Sequence, residues 1–189
     1  MKRDLGLFVV LVFFLSACSV APERLSGDYQ LASMQYLQQQ KKWSFEGRLA
    51  LTNEKDSISA SVAWFHDENV DEIELVGPLA QGRLKIHVGP EQVVVDDGEN
   101  RNVFEGDADT VITEQLGVDM PVRALRYWVL GVNDPEQAMV EQVGGFYQAG
   151  WLVRYREMQT VGAGLLPKKV TVEKDKTRIK LIVDQWDLL

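Results

Sequence analysis

The sequence holds a single cysteine, Cys18, in 189 residues, so no disulfide can form within the chain and packing must stabilise the fold. Histidine is nearly as scarce. His66 and His87 are the only two, and neither has Asp or Glu at metal-ligand spacing around it. There is no Gly-x-Ser-x-Gly elbow and no Gly-rich phosphate loop, so nothing argues for an enzyme. Basic charge is short as well: 20 Lys and Arg face 28 Asp and Glu, a net charge of −8. That balance argues against nucleic acid, and against holding anionic lipid through a basic patch. The longest apolar run, Leu5 to Leu15, is well short of the roughly 20 residues that a spanning helix needs.

The short run has another use. Lys2 and Arg3 precede it, and Leu15-Ser16-Ala17-Cys18 follows it. This is the layout of a secretory signal ending in a lipobox, with small residues before a cysteine that becomes the first residue and carries lipid. Residues 1–17 are therefore expected to be a signal peptide. Cys18 is expected to bear N-acyl and S-diacylglycerol groups, and 18–27 to form a polar tether containing Pro22. Each buried methylene contributes about 0.8 kcal/mol, so two or more chains fix a protein to a membrane almost permanently. Ser19, where Asp would favour inner-membrane retention, leans toward the outer membrane. Loss of Lys2, Arg3 and Asp4 takes the net charge from −8 to −9. The roughly 170 remaining residues suit one domain, 28–189.

Ser26 or Asp28 is placed to cap a helix running to about Lys42, with Leu31, Met34 and Leu37 as its apolar stripe. The period then changes to two. Strands are expected over 43–52, 58–66, 72–76, 83–88 and 92–96, with Val103-Phe104 returning after the Asp97-Gly98 turn. Two helices interrupt them. One runs from Asp107 to Leu116, and the other from Pro121 to Leu130 with Arg123 and Arg126 on its polar face. Strands resume over 138–143, 146–147 and 151–158. A loop follows over 159–166, then a final pair over 168–174 and 177–186. A sheet of nine to eleven strands must split or curl. The fold class is mainly β with helices: an incomplete antiparallel barrel, a curled sheet with a helical lid or plug.

Gly77-Pro78-Leu79-Ala80-Gln81-Gly82 stands out because a turn carries a large apolar residue at its tip. A lone exposed leucine is normal on any surface. A membrane probe is the other reading, since burying one Leu gains about 1.5–3 kcal/mol, enough to orient a domain already tethered.

With these residues in view, the chain resembles the LolB family of outer-membrane lipoprotein receptors. The resemblance is carried by the lipobox, Trp43 to Leu51 with Gly47, the Pro78-Leu79 tip, Leu125-Arg126-Tyr127-Trp128-Val129-Leu130-Gly131, and Ile179-Lys180-Leu181 to Trp186. It implies an incomplete barrel around an apolar cavity and no enzymatic activity. It further implies a monomer on the periplasmic face of the outer membrane. Such a protein takes lipoproteins from a soluble carrier, LolA, by their acyl chains and releases them into the membrane's inner leaflet. The resemblance assigns membrane insertion to Leu79, although Gly77 and Ala80 depart from the family's Asn-Pro-Leu-Gly turn. Phe45, Val62, Trp64, Leu84, Trp128, Trp151 and Leu181 are the expected acyl-binding wall, yet any barrel fills its interior with such residues. A structural or assembly lipoprotein with a packed interior, binding a protein partner, is the alternative.

Overall fold

A computed structural model describes residues 29–80 and 82–189. The signal segment, the tether with Cys18, and the caps Ser26 and Asp28 lie outside the described residues.

Eleven strands form one antiparallel sheet in the order β6-β5-β4-β3-β2-β1-β11-β10-β9-β8-β7. They are β1 (Lys42–Thr52), β2 (Ser57–Asp67), β3 (Val70–Val76), β4 (Arg83–Val88), β5 (Gln92–Asp96), β6 (Arg101–Glu105), β7 (Met139–Gln142), β8 (Gly145–Gln148), β9 (Trp151–Val161), β10 (Gly164–Lys174) and β11 (Thr177–Leu188). The sheet curls but does not close, so β6 and β7 remain its edges. Alternation sets the faces. In β1 Trp43, Phe45, Gly47, Leu49 and Leu51 are buried, while Glu46 and Arg48 are exposed. Gly47 sits at a bulge against β11, where a Cβ would collide with the carbonyl of Ile182. Only glycine lets the two strands approach there.

The concave face is covered by three helical pieces. α1 (Leu31–Met34) runs on as a 3₁₀ helix over Gln35–Gln39. A single long helix to Lys42 was expected. The i, i+3, i+6 spacing of Leu31, Met34 and Leu37 is the three-residue period of a 3₁₀ turn, and all three are buried. α2 (Ala108–Leu116) is capped by Asp107, whose carboxylate accepts from Thr110 N at 3.0 Å. α3 (Val122–Trp128) follows. The expected loop over 159–166 is instead a long hairpin. β9 and β10 pair from Val161↔Gly164 onward, since Gly162 (φ 58°) turns the chain within two residues.

Candidate functional site

The concave face and the helices enclose one residual apolar gap. The sheet lines it with Phe45, Leu49, Val62, Trp64 and Ile73, and from the other side with Val170, Val172, Ile179 and Leu181. Met120, Leu125 and Val129 close it from the α2–α3 segment. Its volume is about 20 Å³, enough for one water, whereas small-molecule sites run about 300–1,000 Å³. Side chains of the sheet and of the α2–α3 segment fill the rest of the space.

Of the seven expected wall residues, Phe45, Val62, Trp64 and Leu181 meet around this gap. Trp128 and Trp151 lie in a neighbouring aromatic cluster with Phe146, and Leu84 is half-buried against the core. Leu49, Ile73, Val170, Val172, Ile179 and the three lid residues were not among the expected wall. Alternation alone offers every inward residue, and only the curl selects those that converge.

The lid is pinned at one end. Tyr155 Oη donates to Trp128 O at 2.8 Å, and Tyr29 Oη donates to Gly131 O at 3.1 Å. Tyr29 stacks on Tyr155, and burial pushes both phenols well above their ordinary pKa, so they stay protonated donors. Trp128 Nε1 donates to Gln148 Oε1 at 2.8 Å, and Gln148 Nε2 donates on to Asp134 O and Gln137 O.

Toward α2 the ties are fewer. Asn53 Nδ2 donates to Gly117 O at 3.3 Å, and Lys174 pairs with Asp119 at 3.1 Å. The strongest is Arg126 on α3. Its Nη2 donates to Asp71 Oδ2 at 2.6 Å, and Asp71 is wholly buried. Asp71 Oδ1 also accepts from Trp64 Nε1 at 3.0 Å and lies 2.7 Å from His66 Nδ1. Arg126 was expected on a polar helix face. Arg123, three residues earlier, does face outward and pairs with Asp107 at 2.6 Å. Asp71 was missed because the expected strand begins at residue 72, two residues after β3 does. Its parity with Ile73 and Leu75 was the available signal.

Leu79 is 92% exposed at the β3–β4 tip, with its backbone in the left-handed region (φ 57°, ψ 27°). A hollow of about 580 Å³ is an open trough on the sheet's outer face. Glu46, Glu72, Glu74, Lys85 and His87 line it together with Ala63, Phe65 and Val94, so it is an open, mixed surface. Among the described residues no cluster of three His, Cys, Asp or Glu could hold a metal.

The family model described as Outer membrane lipoprotein LolB matches residues 41–186. An outer-membrane lipoprotein LolB from Chromohalobacter salexigens is 31% identical over 193 residues, covering 96% of this chain and 89% of that one. Another, from Alkalilimnicola ehrlichii, is 29% identical over 184 residues, with 92% of each chain covered. In fold, a LolA superfamily protein from Nitrosomonas europaea superposes with a TM-score of 0.54 at 7% identity, over 84% of this chain and 92% of that one.

Proposed function

The chain belongs to the LolB family of outer-membrane lipoproteins, and on that premise we propose that it accepts other lipoproteins by their acyl chains and delivers them into the membrane. Family membership makes it an outer-membrane protein of lipoprotein localisation and not an enzyme. The finer steps are our reading. Cys18 carries the lipid anchor. A LolA-like periplasmic carrier hands over the cargo, whose chains enter between the concave sheet and the lid. Leu79 then leads the protein's contact with the inner leaflet.

The observation that carries this reading is the apolar gap between sheet and lid, lined by side chains of both. A hydrocarbon chain cannot cross an aqueous compartment exposed, so a receiving protein needs a dry, openable interior. No ATP-binding motif is present, so transfer must run downhill into this interior and then into lipid.

A fluorescent fatty-acid probe tests it. Saturable binding that V62Q abolishes is the expected result, with vesicle contact through Leu79 retained. Loss of both together would count against separate roles. The small size of the gap favours a second reading, a structural lipoprotein with a packed interior. In that case the probe does not bind at all. In cells, depletion of the protein should make other lipoproteins accumulate in the periplasm.

A further inference from the structure

A polar cluster adjoins the internal gap. Trp64, His66 and Asp71 stand on the concave face, and Arg126 reaches them from the lid. Trp64 itself lines the gap, as do Ile73 and Leu125, the neighbours of Asp71 and Arg126. The cluster and the apolar gap are therefore contiguous.

Two features separate this cluster from a purely structural ion pair. Arg126 Nε is buried and its N–H has no acceptor, whereas buried donors are as a rule paired. Stability alone also gives little reason for the pair, because apolar residues of equal volume often hold a fold as well or better. Arg126 keeps 16% of its side chain in contact with solvent while Asp71 keeps none, so the Arg126 side is the outer end of the cluster.

We propose that Arg126, held by Asp71, forms a second subsite that takes the polar linkage of an acylated cysteine: the ester carbonyls of its diacylglycerol group. The proposal rests on the acyl-binding reading above and adds the part of the ligand that is not hydrocarbon. An acyl ester is apolar along its length and ends in carbonyl oxygens that only accept hydrogen bonds. The site has the same polarity in the same order, an apolar gap followed by a guanidinium that only donates. Asp71 takes one N–H of Nη2, and Nε–H remains a buried donor without an acceptor. A hydrogen bond from a charged donor in a dry site is worth enough to read one ester against a group that lacks the carbonyl.

The test compares two synthetic lipopeptides with the same peptide and chain length, one a diacylglyceryl-cysteine ester and the other its dialkyl ether. Each displaces a fluorescent fatty acid from the full-length protein in detergent. The wild type should bind the ester about tenfold more tightly than the ether. R126K keeps the positive charge but gathers its donors on one nitrogen that the buried Asp71 draws to itself. No donor is then left at the Nε position, and the ester-to-ether ratio should fall below twofold. D71N/R126M should do the same without leaving a buried charge unpaired. Equal affinity of the wild type for the two lipopeptides overturns the proposal, as does an ester preference that survives in both variants. If neither lipopeptide binds the wild type, the acyl-binding reading itself falls. The wild-type comparison alone decides the matter if a variant does not fold.

Discussion

Replacing Arg126 by methionine keeps an unbranched apolar stem about as far as Nε and removes the charged end. Asp71 then stays wholly buried, with only Trp64 Nε1 and His66 Nδ1 beside it. Breaking one side of a buried pair costs about 3–5 kcal/mol, and the partial exposure of Arg126 puts this case near 3. With a urea m-value near 2 kcal/mol per M, the unfolding midpoint should fall by about 1.5 M. D71N leaves the guanidinium in partial contact with water and should cost about 2 kcal/mol. The double variant D71N/R126M buries no charge, and the Asn carbonyl can still accept from Trp64, so it should lose only about 1–2 kcal/mol. The cycle therefore predicts a coupling of about 3 kcal/mol between sheet and lid. Hydrogen exchange supplies an independent readout. Amides of α3 should exchange faster in R126M than those of β1 or β11, since the lid loosens before the sheet does. Additive losses in the three variants, or a loss below about 1 kcal/mol in R126M, would refute the view that this pair holds the lid shut.

L79N should leave the melting temperature unchanged, because the side chain is almost fully exposed and Asn tolerates its left-handed backbone, while vesicle co-sedimentation falls. G47A forces β1 away from β11 and should lower stability by about 1–3 kcal/mol in urea unfolding. D107A removes the α2 cap and should cost about 1 kcal/mol at neutral pH. The bond from the Thr110 backbone N–H, with Arg123 nearby, holds the Asp107 carboxyl below its ordinary value. A group depressed in this way stabilises the fold above its unfolded pKa of about 3.9, and the contribution is lost as pH falls through the lower folded value. The gap between wild type and D107A should therefore close on acidification below about pH 4, followed by circular dichroism.

The strands were legible because a half-buried strand must alternate, and β1, β2, β4 and β11 carry that alternation openly in the sequence. The hairpin turn Asp96–Asn100 was legible too. There Asp97 Oδ1 accepts from Glu99 N and Asn100 N, local bonds that need no distant partner. Gly162 misled the reading toward a loop, since glycine marks a turn of any length and only strand pairing shows that this turn has two residues.

By itself the sequence determined the parts whose physics is local: the lipobox expectation at Cys18, strand parity, the Asp107 cap, and the apolar tip at Leu79. Tertiary structure alone decided which inward residues face a gap and which are packed solid, because curvature brings Phe45, Leu181 and Leu125 together from far-apart stretches while sending Trp128 and Trp151 elsewhere. It also decided that Arg126 turns inward to meet a buried Asp71, 55 residues away. No periodicity along the chain records that meeting, since the energy of a buried ion pair depends on what the folded sheet brings opposite it.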